Sequence, residues 1–236
     1  MRVAIYTLTR DRLAFTRHCF QTLRERAGYP FDHIVTDNGS TDGTREWLAE
    51  EYAAKRITAL RFLPHNVGIS VGSNLVLDEL RKMATMGAVF DLLIKVDNDA
   101  EIITDGILAK LVECFEDQRR FAGRMALSPR VEGIVHQPQR IRQEGRGGHP
   151  IGVVGIIGGL FQAVPWDVYR EYQFPETLPL ARGQDDSFCS WMIQQGVTLG
   201  YVEDLVVKHY LSTDGQAKAD PSYFERKWRE EKETPA

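Results

Sequence analysis

Ile34-Val35-Thr36-Asp37-Asn38-Gly39-Ser40-Thr41-Asp42-Gly43-Thr44 joins a β-branched apolar run to an aspartate and a dense cluster of turn formers. The run reads as a short strand that ends at Asp37-Asn38-Gly39. Asp42 is placed to cap a helix carrying Trp47, Leu48 and Tyr52. Strand, tight turn, helix is the repeating unit of a parallel sheet. The unit recurs on both sides. Upstream, residues 3–7 are β-prone, and Leu13, Thr16, Phe20 and Leu23 fall on one helical face. Downstream, residues 59–63 read as a strand and residues 70–83 as a helix with Val71, Leu75 and Leu80 inward. Residues 92–96 read as a buried strand, and Thr104 caps a helix with Ile107, Leu108, Leu111 and Phe115 on one face.

This alternation over residues 1–117 predicts an α/β fold, a mostly parallel central sheet with helices on both faces. Ligands bind beyond the carboxyl ends of such strands, where Asp37, Asp97 and Asp99 all fall. After residue 118 the pattern loosens. Residues 130–150, with Gly133, Pro138, Gly145, Gly147 and Gly148, read as a long functional or mobile loop. Residues 153–164 read as a glycine-punctuated strand. Residues 186–195 read as a helix burying Phe188, Trp191 and Met192, stopped by Gly196. Short strands at 198–202 and 205–207 lead to His209, and residues 222–232 form a charged helix with Phe224 and Trp228 four apart.

Of 236 residues, 43% are apolar and 26% charged, which excludes a disordered, collagen-like or disulfide-miniprotein chain. The longest apolar run, 151–164, is broken by glycines and a glutamine, too polar for a membrane span. Arg2, Arg10, Asp11 and Arg12 replace any apolar signal region, so a cytoplasmic protein is expected. Cys19, Cys114 and Cys189 form no CxxC pair and read as reduced thiols. A net charge of −4 argues against a wholly basic nucleic-acid binder.

Four places carry chemistry. Asp97-Asn98-Asp99 puts two carboxylates after a buried strand, where a divalent cation with phosphate oxygens is their natural partner; the plain alternative is a solvated capping loop. Asp37 at a strand end is able to accept a hydrogen bond from a base N–H such as uracil N3; alternatively it only shapes the turn. Gln184-Asp185-Asp186 opens a helix, where carboxylates favour the macrodipole and a catalytic base stays ionised. His209 is either a satisfied core histidine or the completion of a metal site begun by carboxylates. Arg119, Arg120, Arg124, Arg130, Arg140, Arg142 and Arg146 are a solvated face or a wall for a diphosphate, a charged acceptor or nucleic acid.

In their order along the chain these features resemble the family-2 glycosyltransferases with a GT-A fold. The matching residues are Ile5-Tyr6-Thr7-Leu8-Thr9-Arg10, then Asp37 to Thr44, then Asn66, Gly68 and Asn74. Asp97-Asn98-Asp99, Gly158-Gly159-Leu160-Phe161, Gln184-Asp185-Asp186 and Gly200-Tyr201-Val202-Glu203-Asp204 with His209 follow. The resemblance implies one GT-A domain over 1–236, with a nucleotide-sugar-binding half at 1–117. An acceptor and catalytic half at 118–210 and a C-terminal lid and helix at 211–236 complete it. It implies a nucleotide-sugar donor, UDP-sugar favoured, bound by Thr7, Thr9, Arg10, Asp37, Asn38, Asn66, Gly68, Asn74, Asp97, Asn98 and Gly159. It implies Mn²⁺ or Mg²⁺ on Asp99, Asp97 and His209, and Asp185 as the base of an inverting transfer, with Asp186 beside it. The class of the hydroxyl acceptor stays open between a saccharide, a lipid-linked intermediate, a protein and, as a minority reading, modified nucleic acid. Gln184 and Ser73 depart from the family pattern, standing where a glutamate and often a basic residue occur.

Two other readings compete. A nucleotidyltransferase would want a glycine-rich, lysine-bearing phosphate loop, and residues 7–12 hold no glycine. A sugar- or nucleotide-binding scaffold without turnover finds its support in Gln184.

Overall fold

The computed structural model describes residues 1–118, 123–134, 138–180 and 183–233, apart from the side chains of residues 118, 213, 227, 228 and 230–233. The first half of the chain alternates as the sequence implies: β1 (Val3–Thr9), α1 (Leu13–Arg26), β2 (Phe31–Asp37), α2 (Thr44–Ala53), β3 (Ala59–Phe62), α3 (Gly68–Thr85) and β4 (Leu92–Val96). These strands lie in the order β3-β2-β1-β4, all parallel, with Thr9 level with Asp37. β1 and β4 are buried on both faces, which is why they read as continuous apolar runs rather than alternating ones.

Then come β5 (Ala100–Ile102), α4 (Ile107–Gln118), β6 (Met125–Glu132), β7 (Arg142–Arg146), β8 (His149–Val154), β9 (Phe161–Pro165) and the short α5 (Trp166–Tyr169). α6 (Gln184–Gln194), β10 (Thr198–His209), α7 (Ser212–Ala219) and α8 (Pro221–Glu233) complete the chain. The sheet continues past β4 as β9-β6-β10-β8-β7, with β5 against β10. β10 runs parallel to β6, while β9 is antiparallel to β4 and β6. The result is a single α/β domain with a mostly parallel central sheet. Among the described residues no helix is long and apolar enough to cross a membrane.

The structure corrects several expectations. Residues 130–150 are not a long loop: they include the end of β6, all of β7 and the start of β8. Two of the glycines that suggested a loop, Gly147 and Gly148, make a two-residue hairpin turn, both at positive φ (56° and 83°). Residues 153–164 are the end of β8, a connection and most of β9, not one strand. Residues 198–202 and 205–207 are one strand, β10, with an irregularity between Val202 and Val206. In α3 the fully buried apolar side chains are Val76, Leu77 and Leu80, while Val71 and Leu75 are half-buried, because the small polar residues Ser70, Ser73 and Asn74 also face inward. Tyr52 and Trp191 are less buried than their helical faces suggested. α7 was not foreseen; its run Ser212-Thr213-Asp214-Gly215 reads as a turn. The arginines Arg119 and Arg120 and the side chain of Trp228 lie outside the described residues.

Candidate active site

The carboxyl ends of β1, β2 and β4, the start of α6 and the end of β10 surround a cavity of about 440 Å³. Thr9, Arg10, Asn38, Asn66, Asp97, Asn98, Asp99, Gly159, Asp185, Asp186 and His209 line it. Thr7, Asp37, Gly68 and Asn74 do not. Thr7 is buried against His33 (3.3 Å). Asp37 is fully buried, and its carboxylate accepts from Thr9 Oγ1 (3.0 Å), Ser40 N (3.0 Å) and Ser40 Oγ (2.5 Å). It thereby holds the ends of β1 and β2 together beside Asn38. Asn74 is a strap: it donates to Phe174 O (3.0 Å) and Glu176 Oε1 (3.1 Å) and accepts from Phe174 N (2.9 Å).

At the end of β4 the two carboxylates of Asp97 and Asp99 have different partners. Asp97 Oδ1 is 2.9 Å from Nζ of Lys95, which sits two residues earlier on the same strand face. Lys95 lies level with Tyr6 on β1 and Gln162 on β9, a polar row inside the sheet. Its side chain is only 7% exposed, yet it stays charged: burial opposes this, but Asp97 and Asp185 outweigh it. Burial raises the affinity of Asp97 for a proton, partly offset by Lys95. Sequence reasoning passed over Lys95, although a lone lysine in a buried five-residue apolar strand is itself a signal.

Asp99 Oδ2 faces His209 Nε2 (3.3 Å) and receives a hydrogen bond from Arg12 Nη1 (3.2 Å). Burial works against its charge, but His209 and Arg12 hold the carboxyl well below the usual range. Arg12 also donates to Gln216 Oε1 (2.8 Å) and Asn98 Oδ1 (3.1 Å), and its guanidinium lies 4.5 Å over the ring of Tyr223. Gln216 and Tyr223 belong to α7 and α8, so the C-terminal helices rest on the site; Arg226 of α8 reaches Asp11 (3.2 Å). Arg12, Gln216 and Tyr223 were not among the expected site residues, and no motif marks them. Among the described residues no group of three or more His, Cys, Asp or Glu side chains is arranged to hold a metal ion. Asp99 and His209 are a converging pair that fits a cation also bound by phosphate oxygens. Asp97, turned to Lys95, stands apart from it.

The backbone of Gly159 holds Asp185 on one side and Lys95 on the other. Gly159 N–H donates to Asp185 Oδ2 (2.8 Å), and Gly159 C=O accepts from Lys95 Nζ (3.0 Å). A Cβ at this position would run into Asp185 Oδ1 and Lys95 Nζ, so any other residue displaces these two side chains. Tyr201 of β10 props the neighbouring residue, accepting from Gly158 N (3.2 Å). Gln184 is buried and donates to Pro179 O (2.8 Å) and Ser70 Oγ (3.4 Å), tying α6 to α3. An amide provides that donor and a carboxylate does not.

The arginines of the hairpin region are paired. Arg130 is on Glu132, Arg140 on Glu203, and Arg142 and Arg146 on Glu144; Arg124 is on Asp167.

This strand order, with a cavity at the carboxyl ends of its parallel strands, is the build of a GT-A domain. Residues 4–163 match Glycosyl transferase family 2, and the chain belongs to that family. No curated protein matches the sequence. Among solved structures, Staphylococcus aureus TarS 1–349 in complex with UDP-GlcNAc is similar at 16% identity and TM-score 0.66, covering 88% of this chain and 58% of that one. Pyrobaculum calidifontis mannosyltransferase PcManGT in complex with GDP-Man and Mn²⁺ is similar at 16% identity and TM-score 0.64, covering 97% and 64%. GalNAc-T7 with UDP, GalNAc and Mn²⁺ is similar at 11% identity and TM-score 0.68, covering 91% and 44%. The chain thus spans less than two thirds of the length of these relatives.

Proposed function

We propose that this glycosyltransferase moves a sugar from a nucleotide-sugar donor, UDP-sugar favoured, to a hydroxyl acceptor, with inversion at the anomeric carbon and with the help of Mn²⁺ or Mg²⁺. The observation that carries the reading is that a peptide-clamped carboxylate, Asp185, and a carboxylate–imidazole pair, Asp99 and His209, line one cavity. The relatives solved with UDP-GlcNAc and GDP-Man support a nucleotide-sugar donor, and the Mn²⁺ in two of them supports a divalent cation.

Asp99 and His209 would hold that cation, which neutralises the charge that grows on a departing nucleoside diphosphate. Asn38, Asn66, Thr9 and Arg10 contact the nucleotide, while Asp37 acts by fixing the loop that carries Asn38. Asp97 and Asn98 face the ribose and the sugar. Asp185 takes the acceptor hydroxyl proton as its oxygen attacks the anomeric carbon, and the bond to the diphosphate breaks on the opposite side. Gly159 keeps Asp185 in one orientation for that step. Asp186, exposed at the mouth, meets the acceptor. The ion-paired hairpin arginines favour a neutral or saccharide acceptor over nucleic acid. Gln184 has a structural duty, which removes the support for a scaffold without turnover. The free, buried thiols Cys19, Cys114 and Cys189 support a reducing compartment, the cytoplasm.

The test is a thermal-shift screen of nucleoside diphosphates and nucleotide sugars with and without Mn²⁺, since a ligand of the folded state raises its melting temperature. A uridine nucleotide should stabilise the wild type in Mn²⁺ and lose that effect in Asp99→Ala. Asp185→Asn should keep donor binding and lose turnover by about 10²–10⁴-fold. No shift with any nucleotide and metal would overturn the reading.

A further inference from the structure

Arg12 sits in an unusual place for an arginine. Its backbone is left-handed (φ 56°, ψ 50°), directly after Asp11, which is left-handed too (φ 48°). Non-glycine residues hold this conformation only where their surroundings demand it. Here the demand comes from the loop itself: Asp11 N donates to Ser40 Oγ (2.7 Å), and Asp11 Oδ1 accepts from Thr41 N (2.7 Å). The result aims the guanidinium into the donor cavity, onto the same Asp99 oxygen that faces His209. The Nε of Arg12 is buried there with no hydrogen-bond partner.

The hydrogen bonds fix more than the position of Arg12. A guanidinium only donates, so Gln216 must turn Oε1 to Arg12 and its amide nitrogen to the other side. That nitrogen donates to Tyr210 O (2.8 Å) and to His209 Nδ1 (3.2 Å). Nδ1 of His209 is therefore an acceptor, and its proton is on Nε2, facing Asp99. A histidine that ligates through Nε2 has the opposite tautomer, and its Nδ1–H needs an acceptor. Gln216 supplies one by turning its amide over, which takes Oε1 away from Arg12 and gives up the hydrogen bond to Tyr210 O. Cation binding at Asp99 and His209 thus removes two of the three hydrogen-bond partners of Arg12, and like charges on one carboxylate oxygen add repulsion.

We propose that Arg12 is a parked diphosphate-binding residue: it neutralises Asp99 until the site takes a divalent cation, then moves onto the diphosphate of the donor, with Gln216 as the toggle. The inference rests on the metal and donor reading above. A planar fork of donors, one of them already unsatisfied, matches a diphosphate, and the short swing stays inside one cavity.

The two states make opposite demands on Arg12, which gives the test. Mn²⁺ binding is followed by the electron paramagnetic resonance signal of the free ion, and UDP binding by calorimetry at saturating Mn²⁺. Arg12→Met should bind Mn²⁺ alone at least tenfold tighter than wild type, yet bind UDP in Mn²⁺ at least tenfold weaker. Arg12→Lys, which keeps the charge without the fork, should leave Mn²⁺ affinity near wild type and still weaken UDP. Circular dichroism checks that each variant is folded. If wild type binds Mn²⁺ and UDP, Asp99→Asn abolishes this and Arg12→Met changes neither affinity, the parked role is overturned while the donor site stands. If Arg12→Met weakens Mn²⁺ binding, Arg12 supports the cation rather than excluding it, and the proposal fails. If neither wild type nor Arg12→Met binds Mn²⁺ with or without UDP, both readings fall.

Discussion

Lys95 and Asp97, two residues apart on β4, form a 2.9 Å ion pair at the root of the cavity, with the lysine almost wholly buried and the carboxylate opening toward solvent. The pair makes Lys95 a counter-charge for the site rather than a surface residue. Lys95→Met should lower stability by about 2 kcal/mol at neutral pH, less than the cost of orphaning a fully buried charge because Asp97 rehydrates. Urea unfolding measures this. Stability equal to wild type would show that the lysine adds no net stabilisation.

Gly159→Ala should damage chemistry more than binding. The added Cβ meets Asp185 Oδ1 and Lys95 Nζ, so the carboxylate proposed as the base must move. Such a displacement costs about 10²-fold in turnover. Steady-state kcat should fall by this much while UDP affinity in Mn²⁺ stays within about threefold, the factor expected for a contact that positions rather than binds.

His33 sets part of the acid sensitivity. It is buried between Phe20 and Phe31, and burial, with the charge of Arg24, pushes its pKa down to about 3. The unfolded chain takes up this proton below pH ~6.5. The folded chain does so only near pH 3, so stability falls as the pH drops through that window. The slope for one group approaches about 1.4 kcal/mol per pH unit. His33→Phe should flatten the stability profile between pH 6.5 and 4, read by urea midpoints at each pH. An unchanged profile would place the acid sensitivity elsewhere.

Asp42 joins two helices. Its Oδ1 accepts from Thr44 N (3.1 Å) and Thr44 Oγ1 (2.6 Å) at the start of α2, and its Oδ2 accepts from Leu13 N (2.9 Å) at the start of α1. Burial opposes its charge, but these bonds hold the carboxyl below the usual range. The stabilisation is complete at neutral pH and lost as acid protonates the folded carboxyl. Asp42→Ala should cost about 1–2 kcal/mol, the upper part of the range for a single cap, because two caps go at once. Thermal unfolding at pH 7 and at pH 3 should show the difference shrink in acid.

The first half of the chain was legible in the sequence because its elements are local. Each strand ends in its own motif, and Asp37, Asp42, Asp97 and Asp99 sit where a strand-turn-helix unit must put them. The second half was not, because its strands find partners far away: β9 inserts between β4 and β6, and the hairpin β7–β8 joins the far edge of β10. No local period encodes those pairings, and the Gly147-Gly148 turn looks like any glycine-rich loop until its partner strand is known. Asn74 was misplaced for a related reason. An asparagine on an amphipathic helix gives no sign that its amide is spent on residues one hundred positions away. Arg12, Lys95 and Gln216 act through three-dimensional neighbours, and only Lys95 left a trace in its surroundings in the chain.

β10 carries Tyr201 near its start and His209 at its end, so one strand reaches from the Gly158-Gly159 segment to the Asp99 pair. Between them, Glu203, Asp204 and Leu205 lie out of register with β6, and Glu203 and Asp204 hold Arg140 and His149 of the hairpin region. The strand is a ruler with an adjustable joint. An insertion or deletion in that joint would slide His209 by one pleat, about 3.3 Å, and turn it to the other face of the sheet. The spacing between the two ends of one cavity, Tyr201 under the Gly158-Gly159 segment and His209 beside Asp99, is therefore set by three residues that do not line it, and that spacing can be retuned there without altering a residue of the cavity.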